Sequence, residues 1–117
     1  MVNKGHGQHS QRPAQGPDDS IVALATKHCC GTMRTVHRLD RDAAGLMVLA
    51  KTKEAATALS AAFADHTARR TYRAAIGVPL PIGTSGTVDA PLKWAGGRCW
   101  VDPSGVAAVT HYSVVER

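Results

Sequence analysis

The most regular hydrophobic pattern in the chain lies in residues 53–66, where apolar side chains recur at helical spacing. Thr52 precedes this pattern as a favourable N-cap, and Glu54 places an acid in the first turn, where the helix dipole stabilises it. The apolar side chains fall at i, i+4, i+7 and i+8 and form one stripe, which consists of Ala55, Leu59, Ala62 and Phe63. The pattern predicts a helix that packs through Leu59 and Phe63 against a sheet.

Two shorter apolar segments precede this helix. Residues 21–28 follow three candidate N-caps, Asp18, Asp19 and Ser20, and predict a short helix. Residues 45–51 are a dense apolar run of strand length, which is typical of a central strand buried on both faces.

The second half of the chain reads as strands separated by Pro and Gly. Residues 68–78 predict a strand with Tyr72 in its middle. The sequence Asp-Pro-Ser-Gly at 102–105 suits a type I turn, so residues 98–101 and 106–116 are predicted to form a hairpin across it. Helices and strands mix without a regular βαβ order. The predicted class is therefore α+β, with a mixed, largely antiparallel sheet and flanking helices.

The length of 117 residues suffices for one core, so we expect residues 1–117 to form a single domain with a loop-rich segment at 1–19. The apolar fraction is 44%, but 19 of these residues are alanines and only 4% of the chain is aromatic. Alanine side chains bury little area, so the composition predicts a small core and marginal stability.

The net charge of +5 favours a polyanionic partner, RNA or DNA before a membrane. The sequence has neither an apolar run of transmembrane length nor an apolar leader, and its three cysteines are an odd number, which together predict a cytoplasmic protein with reduced thiols. Its histidines and cysteines match no closed zinc set, and it has no phosphate-binding glycine motif, so neither a metal nor a nucleotide cofactor is predicted.

The segment with the most chemical character is residues 35–52. It places His37, Arg38 and Arg41 around Asp40 and Asp42, directly before the predicted buried strand. A carboxylate on a loop at the rim of a rigid strand is placed to act as a nucleophile or base. On spacing alone, a solvated loop of mixed charge explains the same residues.

This segment resembles the signature of the RluA-type pseudouridine synthases, in which His-Arg-Leu-Asp precedes a Gly-Leu, an apolar strand and Ala-Lys. The matching positions are His37, Arg38, Leu39, Asp40, Asp42, Gly45, Leu46, Ala50 and Lys51. Further family motifs follow in the same order. They match at Arg70, Tyr72 and Ala74, and then at Gly86, Val88, Asp89, Pro91 and Leu92. The final strand and, more weakly, the Asn-Lys at the start are also similar.

The resemblance implies an enzyme that isomerises uridine to pseudouridine in structured ribosomal or transfer RNA without any cofactor. Asp40 matches the family's catalytic aspartate, and Tyr72 matches its active-site tyrosine. Arg38 matches an arginine that fills the gap left when the uridine flips out of the RNA. Together with the basic residues near both motifs, the implied RNA-binding set is His37, Arg38, Arg41, Arg70 and Arg73.

The chain departs from the family pattern at several places. Ala43-Ala44 replaces a Thr-Ser pair whose hydroxyls would tie down the Asp40 loop, and Lys4-Gly5 replaces a Lys-Pro. A first strand and a C-terminal Gly-Arg-x-His-Gln-Ile-Arg motif also have no counterpart here. We therefore expect an internal part of a synthase domain that does not catalyse the reaction alone. The alternatives are a catalytically incomplete basic RNA-binding remnant and a gene fragment without a function of its own.

Overall fold

The structure is a computed structural model that describes residues 1–116. The chain divides into two compact units, of which the first is Met1–Tyr72 and the second begins at Arg73. The elements of the first unit are β1 (Val2–Lys4), α1 (Ile21–His28), β2 (Arg34–Thr35), β3 (Gly45–Met47), β4 (Leu49–Ala50) and α2 (Lys53–Ala64). The elements of the second unit are β5 (Ser85–Asp89), β6 (Leu92–Ala95), β7 (Arg98–Val101) and β8 (Val109–Ser113).

Every strand pairing is antiparallel in the part of the chain that the structure describes. The pairs are β1 with β3, β2 with β4, β5 with β8, and β6 with β7. The α+β class and the antiparallel pairing are therefore confirmed, although the strands form four two-stranded ladders where one sheet was expected.

Both helices begin at the N-caps expected from the sequence. The Ser20 hydroxyl accepts a hydrogen bond from the amide of Ala23 at 3.3 Å, and the Thr52 hydroxyl accepts one from Ala55 at 3.1 Å. Helix α2 ends at Ala64, two residues earlier than predicted. No helix within residues 1–116 is long and apolar enough to cross a lipid bilayer.

The predicted central strand at 45–51 is wrong in its continuity and in its burial. It breaks at Val48, whose amide donates to the His37 side chain at 3.0 Å and is therefore lost to the strand ladder. Leu46 is 64% exposed, whereas Met47 is fully buried. The difference arises because successive side chains of a strand point to opposite faces, so Met47 faces the core and Leu46 faces away from it.

The core lies in the first unit and is small, as the alanine-rich composition predicts. Its buried apolar side chains are Ala25, Leu39, Met47 and Ala50. Leu59 and Phe63 of α2 are half-buried, while Glu54 is exposed, so the helix presents the expected face. Helix α2 contacts β2 and β4.

The predicted hairpin across residues 102–105 has the right turn and the wrong partner. The amide of Gly105 donates to the carbonyl of Asp102 at 2.8 Å, so the turn forms, but the chain then enters a single bridge between Val106 and Leu92. Strand β7 pairs instead with β6 through Gly96 and Gly97, whose φ values are +58° and +75°. Two consecutive positive φ angles suit a tight hairpin and favour glycine at both positions.

The predicted strand over residues 68–78 is also wrong, because this segment is irregular and Tyr72 is 57% exposed. A strand forms only where its amides and carbonyls find a partner, whatever its β propensity. Among the described residues no strand pairs with residues 68–78, so this segment does not form a strand despite its β propensity.

Candidate active site

Asp40 lies on the loop of residues 36–44, which connects β2 to β3. Its side chain is exposed, as are those of Arg38 and Arg41. Leu39 points inward and is only 6% exposed, so it anchors the loop to the core. The Asp40 carbonyl accepts a hydrogen bond from the amide of Ala43 at 3.1 Å, which closes a turn directly after the carboxylate.

The residue before Asp40 is held by Ser10 of the N-terminal segment. Ser10 is 6% exposed, and its hydroxyl donates to the carbonyl of Leu39 and accepts from the Leu39 amide at 3.1 Å. One side chain thus satisfies both main-chain groups of Leu39, which are buried and would be costly to leave unpaired.

The residue after Asp40 is held by the same N-terminal segment. The Arg41 carbonyl accepts from the amide of Gly7 at 2.9 Å and from the Lys4 ammonium at 3.1 Å. In return, Nε of Arg41 donates to the Gly7 carbonyl at 3.0 Å. The main chain is therefore fixed on both sides of Asp40, while the Asp40 side chain itself faces solvent.

Lys4 is the most deeply buried charged residue of the described chain, with 1% of its surface exposed. Its ammonium donates three hydrogen bonds to main-chain carbonyls, those of Gly5 at 3.1 Å, Gln8 at 2.9 Å and Arg41 at 3.1 Å. Three donors meet three acceptors, which compensates the burial of the charge by oriented carbonyl dipoles.

Sequence reasoning treated this N-terminal segment as a loop and expected Ala43-Ala44 to leave the Asp40 loop poorly constrained. The structure supplies the constraint from Lys4, Gly7 and Ser10 instead. The weak Asn-Lys resemblance pointed toward Lys4, but no local pattern marked Ser10.

His37 packs inside the first unit. Its Nε2 accepts from the Val48 amide at 3.0 Å, and its ring stacks on Phe63 with centroids 4.4 Å apart and an interplanar angle of 28°. Because Nε2 accepts, the neutral ring carries its proton on Nδ1, which is buried without a partner among the described residues. These contacts give His37 a structural role, and its contact with RNA stays a prediction.

The environment of His37 makes the stability of the first unit depend on pH. Burial, and to a smaller extent the charge of Arg70, lower the pKa of His37 below its ordinary value of 6.5. Below pH 6.5 the unfolded chain therefore binds this proton more readily than the folded one, so stability falls as the pH drops from 6.5 toward the folded pKa. We expect His37→Gln to reduce the fall in unfolding free energy between pH 7 and pH 5, measured by urea denaturation.

The matched control for this prediction is His6→Gln, because His6 is exposed in the N-terminal segment. This variant should keep the pH dependence of the unmodified chain. Equal slopes for His37→Gln and the unmodified chain would show that another group controls the acid response.

The other predicted site residues lie near the boundary of the two units. Tyr72 is exposed in the irregular segment that ends the first unit, and its sharing of a cleft with Asp40 stays a prediction. Arg70 is exposed in the same segment. In the second unit, Arg73 forms a 3.7 Å ion pair with Glu116, and both side chains are highly exposed, so the pair contributes little to stability.

Residues 1–116 contain no group of three His, Cys, Asp or Glu side chains arranged to hold a metal ion. Cys29, Cys30 and Cys99 are free and exposed.

The sequence of this chain is similar to the sequences of one known protein family. The family described as RNA pseudouridylate synthase matches residues 1–117. A ribosomal large subunit pseudouridine synthase D from Zymomonas mobilis is 36% identical over 130 residues, which cover 98% of this chain and 40% of the relative. The synthase of the same name from Pseudomonas aeruginosa is 46% identical over 86 residues, which cover 70% of this chain and 26% of the relative. An uncharacterized RNA pseudouridine synthase from Synechocystis is 34% identical over 132 residues, which cover 100% of this chain and 40% of the relative.

This chain thus spans at most about two fifths of these three relatives. The family match nevertheless extends over its whole length, including the Asp40 loop and the segment that holds it. The chain belongs to the RNA pseudouridylate synthase family.

Proposed function

We propose that this chain carries the catalytic aspartate of an RNA pseudouridine synthase that converts uridine to pseudouridine in ribosomal or transfer RNA. The observation that carries the proposal is the exposed Asp40 carboxylate on a loop whose main chain is fixed on both sides, in a chain that matches the family throughout. The names of the Zymomonas and Pseudomonas relatives favour ribosomal RNA. Family membership favours the enzyme over a non-catalytic RNA-binding remnant.

The reaction exchanges one bond for another within a single nucleotide. The bond between C1′ of the ribose and N1 of uracil breaks, the base turns, and C1′ bonds to C5. The proton on C5 is released and N1 ends with a proton, so no redox partner or other co-reactant is consumed. Asp40 is the catalytic residue of this proposal, attacking the sugar or the base, and its fixed main chain limits the positions that the carboxylate can reach.

The proposal needs the target uridine outside the RNA stack, because a base inside a stem is out of reach of Asp40. Extrusion of the base costs on the order of a few kcal/mol. Arg38 is exposed two residues before Asp40, and its planar guanidinium can take the vacated place and pair with phosphates. The exposed ring of Tyr72 offers a stacking face for the flipped base, worth about 1–3 kcal/mol.

We also propose the cytoplasm as the site of action, supported by the free thiols of the three cysteines.

Tritium release from RNA labelled at uridine C5 tests the function directly. The chain is assayed alone and fused to the part of the Zymomonas relative that follows the matched region. We expect release by the fusion and none by the chain alone. The family resemblance implies that the C-terminal Gly-Arg-x-His-Gln-Ile-Arg motif, which has no counterpart in this chain, supplies an arginine that pairs with the catalytic aspartate. A folded fusion that binds RNA but releases no tritium would contradict the proposed function. Release by the chain alone would contradict only the expectation that it needs a completing segment.

A further inference from the structure

A cavity of about 380 Å³ lies beside the Asp40 loop in the first unit. Residues 9–14 of the N-terminal segment form one wall, and Arg38, Leu39 and Arg41 form the other. The Asp40 side chain is outside the lining, so the cavity adjoins the candidate catalytic group without containing it.

The walls of this cavity are joined to each other. Ser10 and Leu39 are both buried and are linked by two hydrogen bonds, one in each direction. The Gln11 side chain amide donates to the Thr35 hydroxyl, which ties the same wall to β2. The cavity therefore exists before any ligand arrives, and little ordering is needed to fill it.

The lining is cationic, and within residues 1–116 none of its arginines forms an ion pair with a carboxylate. It contains Arg12, Arg38 and Arg41 and no carboxylate. The two ion pairs within residues 1–116, Arg73 with Glu116 and Lys93 with Asp102, involve none of these three arginines. An anion bound on a concave surface lined by three arginines would be attracted by all three charges.

We propose that this cavity is a phosphate subsite for the backbone of the RNA substrate and that Arg12 is one of its phosphate contacts. The inference rests on the proposed function, since it takes RNA as the ligand. Guanidinium groups match the geometry of phosphate oxygens and hold them in paired hydrogen bonds. His9 is the one aromatic ring in the lining, so the cavity suits a phosphodiester better than a stacked base.

The position of the subsite indicates which phosphate it holds. Arg41 follows Asp40 directly and Arg38 precedes it by two residues, and successive Cα atoms are about 3.8 Å apart. The subsite therefore lies close enough to Asp40 to hold a phosphate of the reacting uridine or of a nucleotide next to it. Arg12 thereby connects the N-terminal segment to the substrate as well as to the loop.

Binding of a fluorescent RNA hairpin to the chain, measured by anisotropy between 50 and 200 mM salt (on the order of physiological ionic strength), tests the proposal. We expect Arg12→Ala to weaken binding about 3- to 10-fold at the lower salt and to reduce the slope of log K against log salt by about 1. Arg12→Lys should keep the slope. Arg98→Ala is the matched control, because Arg98 is an exposed arginine of β7 in the second unit. Equal losses for Arg12→Ala and Arg98→Ala would overturn the subsite.

A second measurement locates the ligand. Inorganic phosphate titrated into the labelled chain should shift the amide resonances of residues 9–12, Ala14 and residues 38–41 and leave β7 unchanged. Ala14→Glu, which adds a carboxylate to an exposed position of the lining, should remove these shifts, whereas Ala14→Gln should keep them. Shifts confined to other residues would overturn the proposal. So would Arg12-dependent binding to phosphatidylglycerol vesicles without binding to the hairpin, since the partner would then be a membrane surface.

These outcomes separate the subsite from the proposed function. Arg12-dependent RNA binding by a fusion that releases no tritium would leave the subsite standing and contradict the synthase activity. Tritium release with RNA binding indifferent to Arg12 would support the activity and overturn the subsite.

Discussion

Asp40→Asn is expected to abolish tritium release by the fusion to the Zymomonas segment, with kcat reduced at least about 1,000-fold. Asparagine keeps the size of the side chain and removes the negative charge, so it cannot act as a carboxylate nucleophile or base. The loop should keep its shape, because the hydrogen bonds that hold it are made by Leu39 and Arg41 and by the Asp40 main chain. Single-turnover assays with excess enzyme measure the loss without interference from product release.

The matched control for Asp40 is Asp42→Asn, the same change at an exposed acid two residues further along the loop. It should retain most of the activity. Both variants should bind the RNA hairpin about as well as the unmodified chain, because phosphate contacts and chemistry draw on different side chains. Comparable activity of Asp40→Asn and Asp42→Asn would remove Asp40 from the catalytic role.

Lys4→Met is expected to lower the free energy of unfolding by about 2–4 kcal/mol. Methionine fills much of the space of the lysine stem but donates no hydrogen bonds. The carbonyls of Gly5 and Gln8 lose their bonds to the ammonium, and the Arg41 carbonyl keeps only its bond from Gly7. The removal of a buried charge offsets part of this loss. Urea denaturation followed by circular dichroism measures the difference.

Lys51→Met serves as the control for Lys4, because Lys51 is an exposed lysine just after β4. Its expected effect is within about 0.5 kcal/mol of zero. If Lys4→Met unfolds at the same urea concentration as Lys51→Met, the buried ammonium contributes nothing net and the N-terminal segment is held by its other contacts. A destabilised Lys4 variant should also exchange its Gly7 and Leu39 amide protons faster, since both amides donate hydrogen bonds between the N-terminal segment and the Asp40 loop.

The sequence was most informative where structure depends on neighbouring residues. Helix α2 follows from Thr52 and from the apolar stripe that ends at Phe63, and both signals lie within fifteen residues of each other. The Asp-Pro-Ser-Gly turn formed for the same reason, since Asp102 and Gly105 meet within one turn. The position of Asp40 on a loop could be predicted for a similar reason, because the apolar residues that follow it in the sequence form a strand.

Strand partners could not be read in the same way. The hairpin was assigned across Asp102–Gly105, whereas the pair Gly96-Gly97 accommodates the positive φ angles that a two-residue connection requires, so β7 folded back on β6. Residues 68–78 have strand propensity but no pairing partner within the described chain. The contacts that fix the Asp40 loop could not be predicted either. Ser10 and Leu39 are 29 residues apart in the sequence, and no residue next to Ser10 indicates their hydrogen bond.

The hydrogen bonds that fix the Asp40 loop act mostly on main-chain atoms. The position of the loop and the identity of its exposed side chains can therefore change independently. The carbonyl and amide of Leu39 and the carbonyl of Arg41 are present whatever side chains the loop carries. Substitution of an exposed side chain of the loop therefore leaves these hydrogen bonds intact, so the main chain at Asp40 keeps its position. Under the proposed function, the exposed residues around Asp40 can change one at a time while the catalytic carboxylate keeps its place.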